Sequence, residues 1–242
     1  MVGGEPVDHG LGVRIVRVGN CSGTLIAPSS VLTAAHCVEA SGEARVQSGS
    51  STTNAKCVVH PGYRSSEATH DLAICRLGGS SSAEPILLVE DAFVLDVGAT
   101  VQLVGYGLSS PFEHGAGELR LVDTRVVQVL KEGLLAGTVK ETACRGDSGG
   151  PMIVFDGAIA HVAGVIHGPS GAFCASPAVV VRVAEHRAWI DSVIAPEPSA
   201  SCAPLGVAGV AVGIVIARVA LAIRKRRAAT GKRGMRTRRP RS

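Results

Sequence analysis

The sequence predicts an all-β domain closed by one helix and followed by a membrane-spanning segment. Three observations predict it. Short Val/Ile-rich runs recur between Gly, Ser and Pro breaks, at Val13–Val18, Val101–Val104, Arg125–Val129, Met152–Phe155 and Val162–Ile166. Runs of this length build antiparallel barrels or a sandwich, and the pattern leaves that choice open. Residues Glu185–Ile194 carry Trp189, Ile190, Val193 and Ile194 on one helical face, the mark of a closing amphipathic helix. Leu205–Ile223 then holds a single charge, Arg218, in 19 residues. As a helix it spans about 28 Å, near the hydrocarbon thickness of a bilayer.

Charge sharpens this division. Eleven of the 24 basic residues lie beyond residue 203, so residues 1–203 carry 13 against all 20 acidic residues, a net of −7. A basic run alone fits nucleic acid, but this one directly follows an apolar span and reads as a membrane flank. No nucleic-acid partner is expected. Positive-inside logic places the tail 224–242 in the cytoplasm and the β-domain outside. Residues 195–204, rich in Pro and Ser, form an extended linker. Cysteine usage points the same way, to an oxidising compartment.

The chemistry concentrates at Gly146-Asp147-Ser148-Gly149-Gly150-Pro151. Three glycines around one serine let the backbone bend sharply and aim its amides at a bound oxygen. A serine hydroxyl is a poor nucleophile until a base takes its proton. Leu32-Thr33-Ala34-Ala35-His36-Cys37 supplies a histidine, and His70-Asp71-Leu72-Ala73-Ile74 an aspartate opening an apolar run. A neutral imidazole accepts the serine proton, and a buried carboxylate holds it in the required tautomer.

The order His36, Asp71, Ser148 resembles that of the trypsin/chymotrypsin serine proteases. Flanking segments carry the likeness further: Met1-Val2-Gly3-Gly4, Cys21-Ser22-Gly23-Thr24-Leu25-Ile26, Val59-His60-Pro61-Gly62-Tyr63, Gly105-Tyr106-Gly107 and Trp189-Ile190. The resemblance covers residues 1–194. It implies two packed six-stranded antiparallel β-barrels, at about 7–90 and 98–183, with the site in the cleft between them. It also implies a serine endopeptidase working through an acyl-enzyme, with catalytic His36, Asp71 and Ser148 and an oxyanion hole of the Gly146 and Ser148 amides. No cofactor is implied. The resemblance pairs Cys21 with Cys37 and Cys144 with Cys174. Cys57 and Cys75 lie on two runs expected to be neighbouring antiparallel strands, which predicts a third bridge. Cys202 is left over. With the apolar span and the arginine cluster it resembles the three-part sorting tags of some bacterial surface proteins. That reads the chain as a bacterial-type member anchored at the cell surface or in the periplasm.

The start of the chain has neither a charged n-region nor an apolar export segment. In the family the mature N-terminus is cut from a zymogen before a sequence like Met1-Val2-Gly3-Gly4, and its ammonium pairs with the residue here numbered Asp147. The expectation is therefore a signal and pro-segment upstream, an activating protease as a partner, and a Met1–Asp147 pair that shapes the site.

Several departures bear on substrate. Thr142 falls where the family places the base of its primary pocket, and it offers no carboxylate for Lys or Arg, whose unpaired burial is costly. Glu141 is adjacent, but Cys144 sets the register against it. Ala178 matches a pocket wall that is often glycine. Cleavage after small or medium apolar residues of a protein or peptide is expected. Gly164-Val165-Ile166-His167-Gly168 resembles the substrate-pairing strand, with His167 and Gly168 at its end, but lacks the usual tryptophan and is one residue short. Between Val129 and Leu134 an intermediate helix is missing. Residues 38–56 hold no calcium-ligand array. His60, His161, His167 and His186 show no metal-ligand spacing and read as strand or surface residues. His70 reads as a turn cap. The competing readings are a catalytically inactive protease-like binding protein and a non-peptide acyl hydrolase, whose nucleophile-elbow fold the chain order does not fit.

Overall fold

Inward-facing Val, Ile and Leu on successive short strands are buried here by closing the sheets on themselves, twice. The computed structural model describes residues 1–7, 9–110, 117–131, 133–171 and 174–195. The remainder of the linker, Cys202, the apolar span 205–223 and the basic tail lie outside the described residues. No helix among the described residues is long and apolar enough to cross a membrane.

Strand β1 (Glu5–Pro6) is followed by β2 (Ile15–Val18), β3 (Cys21–Ala27), β4 (Ser30–Thr33), β5 (Glu43–Ser48), β6 (Ser51–Val59) and β7 (Ala73–Arg76). Strands β2 to β7 form a closed barrel in the order β2-β3-β4-β7-β6-β5. Val16, Val18, Leu25, Val31, Ala44, Val46 and Ala55 fill its interior. Cys57 and Cys75 sit directly opposite each other on β6 and β7 and are bonded.

The second barrel uses β9 (Thr100–Gly105), β10 (Arg120–Leu130), β11 (Gly133–Ala136), β12 (Pro151–Asp156), β13 (Ile159–Pro169) and β14 (Ala178–Arg182). Its path runs β10-β11-β14-β13-β12-β9, and pairing of β9 with β10 closes the ring. Leu103, Leu134, Met152, Ile153, Val165, Ile166 and Val180 are buried there. Two short strands reach it from the first half of the chain: β1 pairs with β10, and β8 (Leu87–Leu88) lies parallel to β13. β10 turns directly into β11, with Leu130 opposite Gly133. The closing helix α1 (Arg187–Ile194) buries Ile190 and packs Trp189, Val193 and Ile194 against the core.

Candidate active site

The pairing of β4 with β7 places Thr33 opposite Ala73, so the residues that follow β4 meet those that precede β7. His36 lies in a 3-10 turn, Ala35–Cys37, braced by the Cys21–Cys37 disulfide. Asp71 is fully buried beside it. The His36 amide donates to Asp71 Oδ1 at 2.9 Å, and His36 Nδ1 lies 2.6 Å from Asp71 Oδ2. The carboxylate thus grips both the backbone and the ring of the histidine.

A second imidazole shares that oxygen. His167 Nδ1 is also 2.6 Å from Asp71 Oδ2, and the two rings meet edge to face at 5.3 Å. The cause is a bulge in β13: Ile166 pairs with Val180 and Gly168 with Val179, leaving His167 as the extra residue. Burial alone would push the Asp71 carboxyl up, but hydrogen bonds from His167 and His36 outweigh it and hold the group at about 2. The reading of His167 as a plain strand residue misses this contact, because a bulge is set by cross-strand register and not by local pattern.

Ser148 follows a turn whose glycines are required by close approach. A Cβ on Gly149 would lie 2.2 Å from Thr33 Oγ1 and 2.3 Å from the Ser22 carbonyl. Gly146 holds φ at +92°, a left-handed value open to glycine. Neither the Gly146 nor the Ser148 amide donates to a backbone carbonyl among the described residues. The Ser148 hydroxyl donates to the His167 carbonyl at 2.8 Å, and no hydrogen bond joins it to His36 among the described residues. Gly168 borders it: a Cβ there would stand 3.8 Å from Ser148 Oγ.

The serine loop is riveted to the first barrel through Ser22, a buried residue that sequence reasoning passed over. Its hydroxyl donates to the Gly146 carbonyl at 2.8 Å and accepts from the Tyr106 amide at 3.0 Å. Its amide donates to the Ser148 carbonyl at 2.8 Å. The available signal was the run Cys21-Ser22-Gly23, read only as part of a strand.

Behind the loop, Asp147 is fully buried, with the Met1 ammonium 3.0 Å from its Oδ2. The Cys144 amide donates to the same oxygen and the Gly107 amide to Oδ1, each at 2.8 Å. The Met1 ammonium also donates to the Leu108 carbonyl at 2.6 Å. Burial still pushes the Asp147 carboxyl upward, against the pull of the ammonium and the amides. Cys144–Cys174 ties this loop to the segment before β14.

Thr142 is buried, its hydroxyl donating to the Ser176 carbonyl at 2.8 Å, while Glu141 is exposed. Ala178 is buried on β14. His60, His70 and His186 gather into one cluster, with ring centroids 4.9 to 5.3 Å apart. His70 Nδ1 lies 3.0 Å from the neighbouring Thr69 hydroxyl. Linear spacing indicated no histidine grouping, and the fold assembles two.

Two six-stranded antiparallel barrels, three disulfides and a glycine-rich serine turn define the class: a disulfide-bonded two-barrel protein. The family model for trypsin matches residues 1–190. The chain is 30% identical over 211 residues to trypsin alpha-4 of Lucilia cuprina, covering 74% of this chain and 80% of that protein. It is 26% identical over 214 residues to serine protease 28 of Mus musculus, covering 72% and 77%. It is 29% identical over 211 residues to vitamin K-dependent protein C of the same species, covering 72% of this chain and 46% of that longer protein. The chain belongs to the trypsin family of serine-type peptidases. These relatives are eukaryotic and lend the bacterial-type assignment no support. The disulfides fit an extracytoplasmic setting.

Proposed function

We propose that the protein is a serine endopeptidase in which Ser148 attacks the scissile carbonyl, His36 accepts its proton and Asp71 holds the imidazole. The observation that carries this reading is the double grip of Asp71 on His36, which leaves Nε2 as the basic nitrogen. Rotation of the Ser148 side chain off the His167 carbonyl brings the hydroxyl into play, as catalytic hydrogen bonds commonly tighten only with substrate. The Gly146 and Ser148 amides take the oxyanion. His36 then protonates the leaving amine, and water releases the acyl group by the same steps. The Met1–Asp147 pair supports the loop.

Thr142 supports cleavage after small or medium apolar residues, since its hydroxyl is already committed to the Ser176 carbonyl and its side chain brings no carboxylate to a Lys or Arg. Labelling of the intact protein with a fluorophosphonate, followed by peptide mapping, tests the nucleophile. A label on Ser148 is expected. An unlabelled Ser148 in folded protein would favour the inactive binding protein instead.

For the region beyond residue 195, the apolar span 205–223 and the arginines after it support a membrane anchor with the protease domain extracytoplasmic. Carbonate extraction and protease protection of the full chain in vesicles test it. Release into the supernatant by carbonate would refute the anchor.

A further inference from the structure

Two imidazoles on one buried carboxylate form a donor set suited to Zn, Cu, Ni or Fe. In this protein that set is His36, Asp71 and His167, with one ligand atom of each lying within 4.8 Å of the others. We propose that these three residues bind Zn2+ and that the bound ion switches the peptidase off. The binding site stands on geometry alone, while the inhibition rests on the peptidase reading above.

The rearrangement needed is small. Zinc bonds of about 2.0–2.1 Å in tetrahedral geometry set ligand atoms about 3.3 Å apart. Each Nδ1 is now 2.6 Å from Asp71 Oδ2, so each gap must widen by well under about 1 Å to admit the ion. The carboxylate is the fixed member, since it is fully buried and its other oxygen holds the His36 amide. Each imidazole has its side chain 33% exposed and open to an ion from solvent. The bulge at His167 creates the set, because without the extra residue the ring would not turn toward Asp71. Remaining zinc positions take water.

Coordination at Nδ1 explains the loss of activity. In the metal-free site each ring carries its proton on Nδ1, toward Asp71, and keeps a lone pair on Nε2. Zinc takes the Nδ1 lone pair, so through solvent exchange the proton resides on Nε2. A His36 with a protonated Nε2 has no lone pair for the Ser148 proton. No proton is gained or lost overall.

The other histidine cluster is the weaker candidate. His60 Nδ1 accepts the Gly62 amide at 3.0 Å, which puts its proton on Nε2 and leaves no free lone pair. His186 is buried, and His60 meets Trp189 edge to face with centroids 4.7 Å apart.

The test uses the full chain without a polyhistidine tag. Zn2+ is titrated calorimetrically, and Co2+ by its visible absorption, into a Ser148→Ala form that cannot turn over. One ion per chain is expected, weakened at least about tenfold by His167→Asn and likewise by His36→Gln, which lies on an exposed turn. Unmodified enzyme should lose peptidase activity over the same Zn2+ range and recover it with chelator. Binding unchanged by both substitutions would overturn the site, and loss of binding on His186→Asn would relocate it to the other cluster. Stoichiometric binding without inhibition would overturn the switch. If the unmodified enzyme shows no peptidase activity at all, the peptidase reading fails, while the Ser148→Ala titration still decides the site.

Discussion

Ser22 and Gly146, 124 residues apart in sequence, are joined by a 2.8 Å hydrogen bond from the Ser22 hydroxyl to the Gly146 carbonyl. One buried hydroxyl therefore couples the first barrel to the loop bearing Ser148. Ser22→Ala removes the donor for Gly146 and the acceptor for the Tyr106 amide together. A loss of about 1–3 kcal/mol in unfolding free energy is expected, since buried groups left unsatisfied cost that much. Urea melts measure it, and kcat/KM should fall as the loop loosens. A variant equal to the parent in both would show that the rivet is dispensable.

Ser148→Ala removes the proposed nucleophile without touching the loop backbone. Turnover should fall on the order of a millionfold, while the melting temperature stays close to that of the parent. Half the parental peptidase activity in purified Ser148→Ala would end the covalent mechanism.

Asp147→Asn leaves the Met1 ammonium buried without its counter-charge. Breaking a buried pair from one side costs about 3–5 kcal/mol. Denaturant melts should register a loss of that size. Peptide hydrolysis should fall with it, because the same carboxylate accepts the Cys144 and Gly107 amides that shape the serine turn. An unchanged midpoint would show that the pair is not formed in solution.

His186 gives a pH dependence with a definite sign. Burial, then the neighbouring His60 and His70, lower it from 6.5 to about 4; Arg182 pushes the same way, and the Thr69 carbonyl opposes. Between those values the unfolded chain binds the extra proton, so acid favours unfolding. The stability contributed is complete above about pH 6.5, declines as pH falls toward 4, and is flat below. His186→Phe should flatten the melting temperature across that window, with a residual slope from His60, which is also lowered. An identical profile in the variant would remove His186 from the account.

Profiling against a peptide library checks the pocket. Cleavage after Ala, Val or Leu is expected, with Lys and Arg poor at that position. Efficient cleavage after Arg alone would place a carboxylate in the pocket that Thr142 does not supply.

Features that depend on neighbours in sequence were legible before any coordinates: the Val/Ile-rich strands, the face of the closing helix, and the glycine-serine turn. Their physics is local, a side-chain period of two or 3.6 and a φ that only glycine adopts freely. Resemblance to a family added the two-barrel topology and the pairs Cys21–Cys37 and Cys144–Cys174, which no local pattern contains. Only the folded chain revealed that His167 shares the Asp71 oxygen with His36, that Ser22 pins Gly146, and that the rings of His60, His70 and His186 gather together. These contacts follow from strand register and from one bulge in β13, both decided by pairing between distant segments. A one-residue slip there would turn His167 away from Asp71 without altering a letter of the sequence around it.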